Sequence, residues 1–284
     1  VRMKQYRTIR NFLTAFLPDD MPLASFDTDK LKEFEKWITD YPLKPDKQIV
    51  RTPNTIATKL KYLRAFFGYA LRKGWITKNP FVGFTLPKES YDDPVFLTKD
   101  ERDQLYQYKP EKDFLERIRD RFILQCYIGA RIGDFDRLRK DNFHNNSISY
   151  VPNKNAKTNK KPVTVPLAPA ALEIIKKYDF PGGYLVPPTS EKNYNENLKV
   201  LFRKAGLNRP VVRYNVIEKK NEIFPLYELA TTHMARRTFI GILHKSVKNE
   251  VIASMTGHAE NSRAFRRYYN VDETDKRNAI LNSL

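Results

Sequence analysis

A histidine and an arginine three residues apart form the most chemically suggestive pair in the sequence. His233 and Arg236 lie in THMARRTF, and residues at i and i+3 share one face of a helix. A guanidinium is a planar fork of donors suited to two phosphate oxygens, and an imidazole can add another donor. The pair predicts an anion site, although an ordinary exposed polar helix face would show the same spacing. Arg237 is rotated by about 100° around the helix, so we expect it to face elsewhere.

Further residues of the same chemical kind occur in a fixed order around this pair. Arg131 precedes it in GARIGDFDRL, His258 follows it in MTGH, and Tyr268 comes ten residues after His258 in RAFRRYYN. Cationic donors suit a phosphodiester whose charge grows during attack, and a tyrosine can act as a covalent nucleophile. In this order the residues resemble the tyrosine recombinase, or phage integrase, family, whose catalytic set runs Arg, Lys, His-x-x-Arg, His and Tyr.

The resemblance implies a role for each matched residue. Arg131 and Arg236 would bind the non-bridging phosphate oxygens, with donors from His233 and His258, one of which would also assist deprotonation of the nucleophile. Asp134, three residues after Arg131, would support the site structurally. No metal ion or cofactor is expected.

The nucleophile departs from the family spacing. The family usually places its tyrosine nine residues after the Gly-His histidine, where this sequence has Arg267. We take Tyr268 as the nucleophile, because RAFRRYYNV resembles the family's Phe-x-x-Tyr ending with one residue inserted. Tyr269 remains the alternative, and either ring could instead be a packed core aromatic.

A hairpin supplies the lysine of the set. The segment ISYVPNKNAKTNKKPVTVPL alternates apolar residues on both sides of an Asn- and Lys-rich turn, which predicts a β-hairpin. It resembles the family's second and third strands, whose turn carries a catalytic lysine that would act as the general acid. Lys157 is the preferred match, with Lys154 and Lys160 as alternatives.

Several other enzyme classes are disfavoured by the motifs that the sequence lacks. The ten glycines form neither a P-loop nor a dinucleotide-binding fingerprint. Four histidines without HExxH, and a single cysteine, disfavour a hydrolytic zinc site. The pairs Asp134 with Asp136 and Asp27 with Asp29 could suggest a metal nuclease, but we interpret them as helix caps and first-turn charges.

The elements that position these residues are mainly helical, with a small β-hairpin or sheet, an α+β class. Apolar spacing predicts helices throughout 2–86. One has a stripe of Leu31, Phe34 and Ile38, and another opens at Asn54 and Thr55 and ends near Gly74. A Thr98 cap and a helix over 113–128 follow, and helical patterns resume after the hairpin in PAALEIIKKY, NLKVLFRKAG, THMARRTFIGILHKSV, EVIASMTG and SRAFRRYYN.

The stretch PKESYDDPV loses helical periodicity and has linker chemistry. We therefore predict a helical core-binding domain over 1–88, a linker over 89–97 and a tyrosine recombinase catalytic domain over 98–284. Because the sequence starts at Val1, we expect a fragment, and family members from mobile elements often carry a preceding arm-binding domain.

The charge favours a nucleic-acid partner. There are 51 Lys and Arg against 33 Asp and Glu, a net charge of +18, which is typical of proteins that bind polyanions. Residues 1–90 hold 17 basic and 9 acidic side chains, net +8, so the excess is spread over both parts. Within 54–74, the basic residues could form a DNA-facing surface or an ordinary solvated helix face.

The composition also predicts where the protein acts. One cysteine, Cys126, excludes a disulfide framework, and no apolar stretch approaches the ~20 residues of a membrane span. We expect a soluble protein of the bacterial cytoplasm, associated with the nucleoid and not with a membrane. The resemblance implies double-stranded DNA as substrate, a homotetramer on paired DNA sites, and DNA-bending host factors as further partners.

The expected function is therefore site-specific recombination through a 3′-phosphotyrosine intermediate, for integration and excision of a mobile element. Two alternatives remain at this point: a catalytically inactive DNA-binding accessory protein, and a DNA-relaxing enzyme of the type IB topoisomerase kind.

Overall fold

The computed structural model describes residues 2–41, 51–153 and 161–258, together with Arg267, Ile280 and Leu281. These residues divide between two compact units, Val1–Asp92 with Tyr214–Glu222, and Asp93–Arg213 with Ile223–Leu284. The break after Asp92 falls inside the predicted linker, whereas the grouping of Tyr214–Glu222 with the first unit was not expected.

Three helices make up most of the first unit: α1 (Arg2–Phe16), α2 (Thr28–Asp40) and α3 (Pro53–Arg72). The predicted stripe of α2 is confirmed, because Leu31, Phe34 and Ile38 are all buried. They share a core with α3, which contributes Ile56, Leu60, Leu63 and Phe67.

Helix α3 begins slightly earlier than the sequence predicted. Its N-cap is Thr52, whose hydroxyl accepts from the Thr55 N–H at 3.4 Å, and Pro53 occupies the first turn. Proline is favoured there because its missing N–H needs no partner. Two of its basic side chains have partners inside this unit, since Lys59 donates to Gln5 at 2.7 Å and Lys61 pairs with Glu89 at 2.5 Å.

The second unit is built around a buried central helix. Its helices are α4 (Lys99–Gln107), α5 (Asp113–Ile128), α6 (Ile132–Phe135), α7 (Pro169–Lys177), α8 (Glu191–Lys204), α9 (Thr232–Leu243) and α10 (Asn249–Thr256). Helix α5 packs against α4, α7, α8 and α9, and Phe122, Ile123 and Leu124 are fully buried within it. Cys126 is a buried free thiol on the same helix.

The predicted hairpin forms the main sheet. Strands β1 (Phe143–His144), β2 (Ser147–Tyr150) and β3 (Val163–Pro166) pair antiparallel in that order, with Tyr150 opposite Val163. The short β1 was not predicted. Val165 faces inwards and joins a small core with Phe239 and Ile240 of α9 and Ile252 of α10.

The sequence analysis missed a second hairpin. Strands β4 (Pro210–Asn215) and β5 (Lys220–Pro225) form a two-stranded sheet where only polar turns between helices were expected. Val212, Tyr214 and Ile223 are largely exposed, so this hairpin lacks the buried apolar stripe on which the search for strands depended.

The acidic pairs are partly as predicted. Asp27 caps α2 by accepting from the Lys30 N–H at 2.8 Å, and Asp29 lies in the first turn. Asp134 lies in the first turn of α6, but Asp136 follows its C-terminal end and pairs with Arg121. Asp136 is therefore the C-cap residue of α6 and does not lie near a helix start, as the sequence interpretation had it. Among the residues that the structure describes, no helix has the length and apolar character to cross a membrane.

Candidate active site

A glycine turn places Arg131. Helix α5 ends at Ile128, and Gly129 adopts a left-handed conformation with φ +67°. A Cβ on Gly129 would lie 2.4 Å from the Phe239 ring of α9, so the close approach of the two helices also requires glycine at this position. The chain then turns through buried Ala130 into Arg131, which precedes α6.

Arg131 carries a buried donor that is not matched by an acceptor in the described residues. Its Nη1 atom is buried without a hydrogen-bond partner in that part of the chain, and the nearest carboxylate oxygen, on Asp134, is 4.0 Å away. Leaving a buried charged donor unsatisfied costs free energy. Apart from this long ion pair with Asp134, the Nη1 donor of Arg131 is therefore unmatched among the described residues.

Asp134 connects this arginine segment to the hairpin. Its side chain is buried, and Oδ1 accepts from Arg137 Nη2 at 2.6 Å and from the Asn153 N–H at 2.9 Å. Asn153 follows β2 and immediately precedes residues 154–160 along the chain. Asp134 therefore ties the turn that carries Arg131 to the end of β2, and its supporting role in the site stays a prediction.

Arg236 is held between the ends of two other helices. The side chain is 5% exposed on α9. Its Nη1 donates to the Gly129 carbonyl beyond α5 at 2.7 Å, and its Nη2 donates to the carbonyl of Thr256, the last residue of α10, at 2.8 Å. These bonds fix the guanidinium beside the segment that carries Arg131.

His258 reaches the same guanidinium through a second glycine turn. Helix α10 ends at Thr256, and Gly257 adopts φ +64°, which turns the chain back. Both ring nitrogens of His258 lie 3.2 Å from Arg236 Nη2, and Nδ1 lies 3.0 Å from the Thr256 hydroxyl.

His233 lies on the exposed side of α9, one turn before buried Arg236. Partial burial lowers its pKa, and the positive charges of Arg237, Arg236 and Arg131 lower it further, against an opposing effect of Glu191. The neutral ring is therefore favoured. The structure thus brings together four of the predicted site residues, Arg131, His233, Arg236 and His258.

Tyr150 is a neighbour of this group that the sequence analysis did not identify. Its hydroxyl is buried and has no hydrogen-bond partner among the residues that the structure describes. Burial raises its pKa to about 12; Arg236 and Arg131 act against that rise, while Asp134 adds to it. The hairpin pattern predicted a strand at Tyr150, but not that two arginines act on its hydroxyl.

The remaining predicted residues cannot be placed against this geometry. Lys157 and its alternatives Lys154 and Lys160 lie outside the described residues, as do Tyr268 and Tyr269. Their assignments stay predictions. Within the described part of the chain, no group of three or more His, Cys, Asp or Glu side chains is arranged to hold a metal ion.

Comparison with protein families gives two matches. Residues 1–87 match the phage integrase SAM-like domain, and residues 95–275 match the phage integrase family. A tyrosine recombinase of Pseudothermotoga lettingae is 25% identical over 276 residues, covering 96% of this chain and 87% of the relative. Tyrosine recombinase XerC of Listeria innocua is 26% identical over 211 residues, covering 72% and 67%.

Solved structures share the fold. The Tn1549 transposon integrase in complex with transposon right end DNA has a TM-score of 0.69 at 18% identity, covering 99% of this chain and 93% of that one. A lambda integrase dimer bound to a COC′ core site has a TM-score of 0.67 at 18% identity, covering 93% and 87%. A lambda integrase tetramer bound to a Holliday junction has a TM-score of 0.63 at 17% identity, covering 94% and 70%.

Proposed function

The chain belongs to the phage integrase family of tyrosine recombinases, site-specific enzymes that cleave and rejoin DNA, and on this premise we propose how its own residues perform the reaction. Arg131 and Arg236 bind the scissile phosphate, His233 and His258 assist, Tyr268 attacks and Lys157 protonates the leaving group. The roles of Arg131 and Arg236 rest on observed geometry, whereas those of Tyr268 and Lys157 rest on the family order.

The observation that carries the proposal is the buried Nη1 of Arg131, which has no hydrogen-bond partner among the described residues. Arg236 is fixed next to the Arg131 segment through the Gly129 carbonyl, and the charges of both arginines act on His233 and Tyr150. Two neighbouring guanidinium groups suit an anion that gains charge in its transition state. A phosphodiester is such an anion.

The proposed covalent step uses these roles. The phenolic oxygen of Tyr268 attacks phosphorus and loses its proton to a base, for which neutral His233 is suited. A bond forms between that oxygen and phosphorus, and the bond from phosphorus to the 5′-oxygen breaks. The 5′-oxygen takes a proton from Lys157 and leaves a 3′-phosphotyrosine. Attack by a 5′-hydroxyl of another strand reverses the step and joins the strands.

The wider assignment concerns the partners. We propose that the chain acts on double-stranded DNA as a homotetramer on paired sites; a lambda integrase tetramer bound to a Holliday junction shares its fold. Integration and excision of a mobile element, in the bacterial nucleoid and with DNA-bending host factors, is the biological setting we propose. The units of the fold then correspond to a core-binding domain over 1–88 and a catalytic domain over 98–284, joined by 89–97.

The decisive experiment is trapping of a covalent protein–DNA adduct on a nicked suicide substrate in EDTA. Wild type forms the adduct, and Arg131→Ala slows its formation about a hundredfold or more, as expected for loss of one transition-state donor. The matched control is Arg117→Ala, an exposed arginine on α5, which leaves the rate unchanged. Absence of an adduct with wild type would refute the proposed chemistry and favour an inactive accessory protein.

Further variants test Tyr268 and Lys157, whose roles are assigned from the order of catalytic residues in the family. Tyr268→Phe abolishes the adduct and keeps DNA binding, whereas Tyr269→Phe keeps both; the opposite result moves the nucleophile to Tyr269. Lys157→Ala is rescued by a 5′-bridging phosphorothiolate, because sulfur leaves without protonation. If that substrate gives no rescue, the general acid is another group, with Lys154 and Lys160 tested next.

A further inference from the structure

Thr256 contacts two residues of the candidate site, Arg236 and His258. Its backbone carbonyl accepts from Arg236 Nη2 at 2.8 Å, and its hydroxyl lies 3.0 Å from His258 Nδ1. The residue is fully buried at the end of α10, so water cannot replace either bond. We propose that Thr256 is a positioning residue that fixes His258 in the tautomer with hydrogen on Nδ1. The inference rests on the proposed function, in which His258 assists at the phosphate.

The donor and acceptor roles follow from counting hydrogens. A threonine hydroxyl has one hydrogen and two lone pairs. The Thr256 hydroxyl donates that hydrogen to the Ile252 carbonyl at 2.7 Å, one turn earlier on α10. It therefore meets Nδ1 of His258 as an acceptor, and Nδ1 must carry the hydrogen. In the neutral ring the lone pair then lies on Nε2.

The contact with Arg236 agrees with this assignment. Nη2 lies equally far, 3.2 Å, from both ring nitrogens of His258. In the ring plane, a position equally far from both nitrogens lies beyond Cε1, where the Cε1–H group blocks it. Nη2 therefore lies over the face of the ring. An N–H group above an imidazole face points at the ring and does not use the lone pair in the ring plane. Arg236 therefore sets the tilt of the ring, while Thr256 sets which nitrogen holds the hydrogen.

The consequence concerns which atom of His258 acts on the substrate. With Nδ1 bonded to Thr256, Nε2 is the nitrogen through which His258 would assist at the phosphate. After protonation the same nitrogen donates to a phosphate oxygen. A ring in the other tautomer could only donate from Nε2 while neutral. Thr256 thus acts through His258 and does not itself touch the reacting atoms.

The first test reads the tautomer directly, without DNA or activity. The full chain has four histidines, so ¹⁵N-histidine labelling gives a simple spectrum in which His258→Gln identifies the signals of His258. At a pH where the ring is neutral, we expect hydrogen on Nδ1 in wild type and a shift towards hydrogen on Nε2 in Thr256→Val. Hydrogen on Nε2 in wild type would overturn the proposal even if the adduct forms as expected.

The second test separates a positioning role from a merely structural one. Thr256→Val slows adduct formation about tenfold, the effect expected for losing one orienting hydrogen bond, and Thr256→Ser restores most of the rate. In the His258→Gln background Thr256→Val has no further effect. An equal loss in both backgrounds would show that Thr256 acts through the fold alone.

A matched control lies on the same helix. The hydroxyl of Ser254 is exposed and donates to the Val251 carbonyl at 2.7 Å, much as Thr256 donates to Ile252. Ser254→Ala therefore removes a helix-bonded hydroxyl without altering the contact to His258, and we expect wild-type rate and tautomer. A loss equal to that of Thr256→Val would overturn the proposal.

Discussion

His233 combines an exposed position with a lowered pKa, and the two together suit a proton acceptor. The ordinary pKa of histidine is about 6.5, and partial burial with three nearby arginines moves that of His233 downwards. The neutral, proton-accepting ring therefore persists to a lower pH than usual. Its lone pair is lost only as the pH falls through the lowered value.

We predict that the acid limb of the pH–rate profile for adduct formation lies below about pH 6.5. Arg237→Ala removes a cation that lowers the pKa of His233, so the limb moves to higher pH. Single-turnover cleavage across the pH range measures both. Arg203→Ala, an exposed arginine on α8, is the control. A limb that Arg237→Ala leaves in place would contradict a base role for His233.

Asp134 illustrates how a residue away from the reaction can determine its geometry. Asp134→Ala removes the acceptor of the Asn153 N–H and the partner of Arg137. We predict a loss of about 1–3 kcal/mol in the free energy of unfolding, together with slower adduct formation. Urea denaturation measures the first effect. Asp141→Ala, at an exposed position nearby, changes stability by no more than about 0.5 kcal/mol; equal losses in the two variants would refute the supporting role.

At the scale of elements, the turn after α5 links packing to function. Gly129 has φ +67°, and a Cβ there would lie 2.4 Å from the Phe239 ring. We predict that Gly129→Ala costs at least ~2 kcal/mol of unfolding free energy, from backbone strain and overpacking together. Adduct formation falls as well, because the Gly129 carbonyl holds Arg236.

Gly133 provides the matched comparison on α6. A Cβ at Gly133 meets nothing within 4 Å, so Gly133→Ala is close to neutral in urea denaturation. Similar stabilities of the two alanine variants would contradict a close α5–α9 approach at Gly129.

Elements with strong apolar periodicity were the predictable ones. The stripe of Leu31, Phe34 and Ile38 identified α2, and the Gly129 break identified the end of α5. The order Arg131, His233, Arg236, His258 identified four residues that the fold gathers. Each of these signals is local, or is a motif whose spacing can be read without knowing what packs against it.

What escaped prediction depends on contacts between distant segments. The strands β4 and β5 expose apolar residues, so no buried stripe marks them. Tyr150 and Thr256 looked like ordinary strand and helix residues, since only the packed structure brings their hydroxyls to the arginines and to His258. A single sequence carries no signal for such contacts between distant residues.

At the scale of the whole molecule, each of the two units has its own main hydrophobic core, and both parts of the sequence carry an excess of basic residues. Phe34 belongs to the core of the first unit and Phe202 to that of the second. If these units are independent domains, a substitution in the core of one unit lowers protection from hydrogen exchange in that unit alone.

We predict that Phe34→Ala destabilises α1, α2 and α3 by about 3–5 kcal/mol and leaves hydrogen exchange of α5 and α9 unchanged. Phe202→Ala, which removes a fully buried ring of the second unit, has the reverse effect. Hydrogen-exchange mass spectrometry resolves the two patterns. Loss of protection across both units in either variant would argue against the proposed domain division.

The two carbonyls that hold Arg236 also determine when this site can come into existence. Gly129 and Arg236 are 107 positions apart along the chain, and Thr256 lies a further 20 positions on. Contacts of such long sequence separation form late in folding, after the loop-closure entropy has been overcome. A partly synthesised or partly folded chain therefore has no fixed Arg236 and no competent phosphate clamp. We therefore expect a chain whose synthesis stops before α10 to be unable to cleave DNA, because the Thr256 carbonyl that holds Arg236 is then missing.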